Sequence, residues 1–221
     1  MGYYIDLENI SIDKYKEVLK SADLLPSRMI LKNNIDEIFS IIKQQNVDEL
    51  RKSLKSKNKL HGFSKQSNLQ ENYLKILIRE INSYRQNPNK IKDFPGITEE
   101  IVEKLAKSGI KNTLQLFDKI ITHKSRNEIS DQTGISKDEI LMLAKLTDLS
   151  RIRWVNHTFA FVLLEAAYDS VEEVAKADYK ELYETVKRLN KERKLYKGNI
   201  GLHDMKLCVE AAKDVSIEIE F

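Results

Sequence analysis

The residues best suited to binding chemistry lie in the run Phe94-Pro95-Gly96-Ile97-Thr98, directly before an amphipathic stretch. Pro95 fixes φ, Gly96 permits a tight reversal, and Thr98 can cap the helix that follows. Glycines in such a turn let backbone N–H groups approach a phosphate at a helix N-terminus. The pattern predicts a hairpin that contacts a phosphate backbone through Lys92, Gly96 and Thr98.

A second candidate hairpin is Ile152-Arg153-Trp154-Val155-Asn156, in which Arg-Trp stands where the first hairpin has Pro-Gly. Because this hairpin contains no glycine, a phosphate contact would depend on Arg153 and the amide of Asn156. The alternative is that Trp154 packs in the core and Asn156 caps the next helix. A further alternative is that both hairpins serve only to pack helices.

Positive charge is concentrated in the N-terminal part of the chain. Residues 1–92 carry 17 Lys or Arg against 11 Asp or Glu, a net of +6, whereas the whole chain has a net of +3. The run from Arg51 to Gln70 contains no acid. We predict phosphate contacts by Lys52, Lys55, Lys57 and Lys59, and the alternative is that these lysines form solvated helix ends.

No set of residues indicates catalysis. The four histidines are scattered, Cys208 is the only cysteine, and nucleotide-binding glycine motifs are absent. The sequence therefore predicts a protein that is not an enzyme and binds no metal or cofactor. It contains no apolar run of about 18 residues and no signal peptide, so we expect a cytoplasmic protein without a membrane partner.

The elements that position these residues are predicted to be helices arranged in a repeat. Seven glycines and three prolines in 221 residues are too few for the turns of an all-β protein. Residues from Phe63 align without a gap on residues from Ile129, which places Ser64 on Ser130. A weaker third copy places Gly201 on Gly134.

The predicted fold is all-α, with three tandem repeats that resemble helix-hairpin-helix units. The predicted domains are residues 1–89, which include an insertion, residues 90–150 and residues 151–221. Asn87-Pro88-Asn89 is the predicted linker. Near the two ends the apolar period changes to two, in Tyr3-Ile5-Leu7 and Ile217-Ile219-Phe221, which predicts a short two-stranded pairing of the termini.

Three runs resemble the family known as domain of unknown function 4332: DFPGITEEIVEKLAKSGIKNTLQLF, ISDQTGIS and DLSRIRWVNHTFAFVLLEAAYDSVEEVAKADYKELYETV. The resemblance covers about residues 90–215. The hairpin units of that family in turn resemble the N-terminal domains of RecA-like recombinases and the small domains of X-family DNA polymerases. The resemblance implies a tandem helix-hairpin-helix fold and attaches no activity to it.

Two functions are compatible with these features. The first is sequence-independent binding of DNA or RNA through the phosphate backbone. The second is a protein-protein interaction scaffold that binds no nucleic acid. An enzyme built around Trp154 and His157 has the least support, because no catalytic constellation surrounds them in the sequence.

Overall fold

The computed structural model describes residues 2–221, and the chain forms two compact units. The N-terminal unit is Ile5–Arg85, and the C-terminal unit is Gln86–Phe221 together with residues 2–4. Every regular element between residues 2 and 221 is helical, which confirms the all-α prediction. None of these helices combines the length and the apolar content of a bilayer span.

The α-helices of the N-terminal unit are α1 (Ile12–Ser21), α2 (Ile35–Ile41), α3 (Val47–Leu54), α4 (Lys57–Ser67) and α5 (Glu71–Ser83), and a 3-10 segment lies at Pro26–Lys32. The C-terminal unit begins with a 3-10 segment at Ile91–Asp93. Its α-helices are α6 (Glu99–Lys107), α7 (Thr113–Phe117), α8 (His123–Thr133), α9 (Lys137–Leu149), α10 (His157–Glu165), α11 (Val171–Lys176), α12 (Tyr179–Arg193) and α13 (Leu202–Lys213).

Each unit encloses its own apolar core. In the N-terminal unit, α1, α3 and α5 each bury one stripe, as side chains three or four positions apart on a helix do. The innermost members are at most 1% exposed: Tyr15, Leu19, Leu50, Leu74 and Leu77. The first core of the C-terminal unit gathers α6 to α9, and its innermost side chains are Leu105, Leu116, Ile120 and Ile140.

The pair α8–α9 repeats the pair α4–α5. Helix α8 begins and ends 66 residues after α4, at 123 against 57 and at 133 against 67. The Ser64 hydroxyl donates to the Leu69 carbonyl at 2.5 Å, and the Ser130 hydroxyl donates to the Ile135 carbonyl at 2.7 Å. The aligned serines therefore make the same hydrogen bond at the turn between two helices.

The third copy has a different register from the predicted one. Ser136 caps α9 and Gly201 caps α13, so Gly201 corresponds to Ser136 and its predicted alignment with Gly134 is wrong. Gly134 ends α8 in the left-handed conformation, with φ +64°, and the residue that ends α12 in the same way is Lys194, with φ +52°. A longer connection follows Lys194, which explains why an ungapped alignment fails there.

The predicted two-stranded pairing of the termini is wrong, because no strand forms among residues 2–221. Tyr3 and Ile219 do enter the same core of the C-terminal unit, at 6% and 4% exposed. The Glu220 N–H donates to the Ile121 carbonyl at 2.9 Å rather than to the N-terminal segment. Of the alternating apolar residues near the C-terminus only Ile219 is buried, whereas Ile217 and Phe221 are 64% and 45% exposed. The alternation there marks neither a strand nor a continuous buried face.

Arg151 holds the first and the last segments of the C-terminal unit through their backbone carbonyls. Its Nε donates to the Tyr3 carbonyl at 3.2 Å, and its Nη2 donates to the Ser216 carbonyl at 2.9 Å. The guanidinium carbon lies 4.8 Å from the centre of the Phe117 ring. Arg151 is only 5% exposed. A buried cation, and not the predicted pair of strands, therefore holds the two terminal segments.

Asp148, which is 4% exposed, balances the charge of Arg151. Its Oδ1 accepts from Arg151 Nη1 at 2.8 Å, and its Oδ2 accepts from the N–H of Val171, the first residue of α11, at 2.9 Å. Burial raises the pKa of Asp148, and the Arg151 guanidinium and the Val171 N–H act in the opposite direction. The pair therefore fixes the start of α11 as well as both terminal segments.

Replacing Arg151 by Met should lower the free energy of unfolding by about 3–5 kcal/mol at neutral pH, because it leaves Asp148 buried without its cation. A carboxyl whose pKa is raised by folding destabilises the protein above its ordinary pKa and not below it. The loss should therefore shrink as the pH falls from neutral towards the ordinary aspartate pKa of about 4, and should be smallest below it. Urea unfolding of both proteins across this pH range measures the effect.

Arg188→Met is the matched control, because Arg188 is exposed on α12 of the same unit. It should change the free energy of unfolding by less than about 0.5 kcal/mol. A loss from Arg151→Met that stays constant with pH would show that the charge of Asp148 is not its cause.

Candidate nucleic-acid interface

The two predicted hairpins, residues 94–98 and residues 152–156, have the same turn. Gly96 has φ +81° in the first hairpin, and Trp154 has φ +68° at the same position of the second. Each hairpin is closed by a hydrogen bond from its fourth residue to its first, at 3.4 Å and 3.1 Å. The left-handed conformation is least costly for glycine, so the second hairpin makes this turn with a strained, bulky residue.

Thr98 and Asn156, two predicted phosphate ligands, cap the helices that follow the hairpins. Thr98 Oγ1 accepts from the Ile101 N–H at 3.4 Å, and Asn156 Oδ1 accepts from the Phe159 N–H at 2.9 Å. Each oxygen satisfies a helix amide that has no partner within its helix. Both side chains therefore have a structural role that requires no phosphate.

The backbone of the second hairpin is hydrogen-bonded to the side chain of Gln86. Gln86 Oε1 accepts from the Trp154 N–H at 2.7 Å. Gln86 Nε2 donates to the Ser150 carbonyl at 3.0 Å and to the Val155 carbonyl. The amide oxygen of Gln86 thus occupies the place from which a phosphate oxygen would accept the same hydrogen bond.

Asn89 occupies a second amide of this region, since its Oδ1 accepts from the His157 N–H, at the start of α10, at 3.1 Å. The sequence places Asn89 in a linker, but its backbone N–H donates to Thr113 Oγ1 at 3.0 Å and its carbonyl accepts from the Thr113 N–H at 2.9 Å. The sequence did not predict the roles of Gln86 and Asn89, because polar residues near a proline indicate only a turn.

Arg153 and Trp154 are stacked on each other. Arg153 is 6% exposed, its guanidinium carbon lies 4.3 Å from the Trp154 ring centre, and its Nη1 lies 4.0 Å from Asp214 Oδ2. Trp154 is 41% exposed, so the alternative that it packs in the core is wrong. The guanidinium predicted to contact phosphate is buried against an indole and an acid.

The first hairpin is more accessible but lies beside acids. Gly96 and Lys92 are exposed. Glu99 and Glu100 occupy the first turn of α6, and Lys104 Nζ lies 2.7 Å from Glu100 Oε1. Carboxylates stabilise a helix N-terminus and repel a phosphate there. The backbone of this hairpin can meet a phosphate, and its nearest charges oppose one.

In the N-terminal unit, Lys52, Lys55, Lys57 and Lys59 lie where α3 ends and α4 begins, and we name these four residues the lysine corner. All four are exposed. Ser56 caps α4, with its Oγ accepting from the Lys59 N–H at 3.3 Å. The first turn of α4 contains no acid, so the positive end of the helix coincides with these cations.

The four lysines differ in how much of their charge is compensated. Lys52 Nζ lies 2.5 Å from Asp48 Oδ2 and 3.4 Å from Glu8 Oε1. The hydrogen bond to Asp48 raises the pKa of Lys52. Lys55 and Lys57 form no ion pair within residues 2–221. Lys52 therefore contributes least to the positive potential of the corner.

The corresponding starts of α8 and α12 lack such a group of cations. At α8, Lys124 Nζ lies 3.8 Å from Glu128 Oε1, and Arg126 is 6% exposed and donates to a backbone carbonyl at 2.9 Å. At α12 the cap is Asp178 and the first turn contains Glu181. Of these three helix starts, only that of α4 combines several exposed lysines with a first turn that has no acid.

Side chains that could support catalysis are dispersed. Among residues 2–221, no three metal-ligating side chains come together. His157 lies edge-on to Phe94, with 6.3 Å between the ring centres. Burial raises the pKa of Cys208 to about 12, so its thiol stays protonated at neutral pH. What the structure offers is backbone amides and surface ammonium groups.

One protein family matches a stretch of the chain that includes nearly all of both hairpins. The model of a domain of unknown function, DUF4332, matches residues 95–215. The chain belongs to this family. No curated protein and no solved structure matches the chain.

The DUF4332 match begins at Pro95 inside the first hairpin and includes the whole of the second hairpin. The lysine corner lies outside the matched residues. The DUF4332 match therefore covers the hairpins of the C-terminal unit and does not reach the lysine corner.

Replacing Gly96 by Ala should lower the free energy of unfolding by about 1–2 kcal/mol, because a Cβ is strained at φ +81°. The added methyl would meet only Phe161, at an ordinary 3.5 Å, so backbone strain is the main cost. Urea unfolding measures it. Gly198→Ala is the control, because Gly198 has no positive φ and no neighbour within 4 Å, and it should be neutral or stabilising.

Proposed function

We propose that this DUF4332 protein binds nucleic acid, DNA or RNA, through the phosphate backbone, without reading base sequence and without catalysing a reaction. The observation that supports this most strongly is the lysine corner, where Lys55, Lys57 and Lys59 are exposed around a helix start that has no acid. Ammonium groups beside a helix N-terminus suit an anion with several oxygens.

The lysine corner suits backbone binding better than base readout. Lys59 Nζ donates to the Lys52 carbonyl at 3.4 Å and Lys52 Nζ pairs with Asp48, so two of the four ammonium groups already have a contact that positions them. The other cations are long, flexible point charges that follow phosphates and carry no sequence information. Neutralising phosphates releases counterions, so the affinity should depend strongly on salt.

The C-terminal unit enters the proposal as a tandem helix-hairpin-helix unit. Lys92 and the backbone at Gly96 are its exposed candidates for phosphate contact. Thr98, Arg153 and Asn156 would have to add a phosphate to the contacts they already make. We therefore assign these hairpins a smaller share of the binding energy than the lysine corner. As a separate part of the proposal, the protein acts in the cytoplasm.

The alternative function is a protein interaction scaffold. It is favoured by apolar side chains on the surface of the C-terminal unit, such as Leu114 on α7 and Leu202 on α13, which are 38% and 41% exposed. Single exposed apolar residues are common on proteins of any function. The charge of the lysine corner is the more specific observation, so nucleic-acid binding comes first.

The variant Lys55→Gln, Lys57→Gln, Lys59→Gln should bind nucleic acid more weakly, because up to three phosphate contacts are lost. The wild type should bind with micromolar or weaker affinity at physiological salt. The slope of log K against log salt should become shallower by roughly 2–3 for duplex DNA. Fluorescence anisotropy of labelled duplex and single strands over a series of salt concentrations measures both quantities.

The charge-matched control is Lys107→Gln, Lys187→Gln, Lys191→Gln, which removes three exposed lysines elsewhere in the chain. It should leave the affinity and the salt slope nearly unchanged. Equal weakening by both triple variants would assign the binding to net charge alone. No binding by the wild type at tens of micromolar protein and low salt would reject the proposed function in favour of the scaffold.

A further inference from the structure

Trp154 is held in a conformation that its residue type disfavours. Its φ of +68° lies in the left-handed region, at the position where the first hairpin has Gly96 with φ +81°. Bulky residues are rare there because Cβ crowds the backbone. Trp154 is nevertheless 41% exposed, so burial of the indole does not explain the strain. Strain of this kind persists where surrounding contacts enforce it, often at functional sites.

Three hydrogen bonds hold the backbone around Trp154, and one cation is stacked on its indole. Gln86 accepts from the Trp154 N–H at 2.7 Å and donates to the carbonyls of Ser150 and Val155. Arg153, which is 6% exposed, places its guanidinium 4.3 Å from the ring centre. A planar aromatic side chain is thus presented at the surface with little freedom left to lose on binding.

The chemistry of this hairpin favours a planar ligand over a phosphate. Its Trp154 amide is occupied by Gln86, and the neighbouring His157 amide is occupied by Asn89. The side chain that this hairpin exposes at the surface is an indole stacked on a cation. Nucleobases stack on such side chains whatever their sequence, but only when they are unpaired, since bases in a duplex already stack on one another.

We propose that Trp154 is a stacking platform for an unpaired nucleobase, so that the nucleic acid bound by this protein is single-stranded. This inference rests on the proposed function and specifies its substrate class. Stacking involves the face of a base and not its hydrogen-bonding edge, so it is compatible with sequence-independent binding.

Trp154 is the only tryptophan of the chain, so intrinsic tryptophan fluorescence reports on this residue alone. Titration with oligothymidylate should quench that fluorescence, and titration with a duplex of equal length should quench it much less. Anisotropy of the same oligonucleotides, labelled, then compares the wild type with Trp154→Gly and Trp154→Phe. Glycine suits the left-handed turn, so Trp154→Gly removes the platform without adding strain.

Trp154→Gly should weaken binding of the single strand by about tenfold, as expected for the loss of one stacked base, and should leave duplex binding unchanged. Trp154→Phe should restore part of the loss. Lysine-corner variants should weaken binding of both nucleic acids. Binding of a single strand without quenching, or with equal affinity for the duplex, would overturn the stacking inference and leave the proposed function standing. No binding of either nucleic acid would overturn both.

Discussion

The C-terminal unit depends on one buried ion pair. The Arg151 guanidinium has donors pointing in several directions, and it uses them on the Tyr3 carbonyl, the Ser216 carbonyl and Asp148. Asp148 in turn accepts from the first amide of α11. Neither charge would be tolerated alone in this environment, because each depends on the other for compensation. Two chain segments far apart in sequence are thereby fixed by side chains three residues apart on one helical turn.

The local part of this fold could be predicted from sequence, because the signals are local. Ser64 and Ser130 make the same hydrogen bond five residues ahead, and a repeated polar residue before an apolar one is visible in an alignment. Helix α4 was not predicted, since Leu60 is its only buried residue and an apolar period needs more than one member. The contacts of Arg151 could not be predicted either, because they join residues almost 150 positions apart (151 against 3).

The candidate site shows the same division. A tight turn lies at each of the two predicted hairpins, and the caps at Thr98 and Asn156 follow from residue type. It could not show that Gln86 and Asn89 occupy the amides of the second hairpin, because a side-chain amide can bond to any backbone within reach. A motif that leaves amides available in one copy can therefore be internally satisfied in the next, with no change in backbone path.

Because the chain is repetitive, one copy of a motif can leave its polar groups available to a ligand while another copy bonds them within the protein. Helices α4, α8 and α12 begin at equivalent places, but each start has different partners: surface lysines at α4, the buried Arg126 at α8, and the acids Asp178 and Glu181 at α12. Ser56, Thr122 and Asp178 each cap one start by accepting from one or two of its amides, and exposed amides bond to water. Once the cap is met, the remaining first-turn positions are free to differ. The fold therefore constrains the charge at such positions only weakly. Folding does not require the group of lysines at the start of α4, where the first turn has no acid.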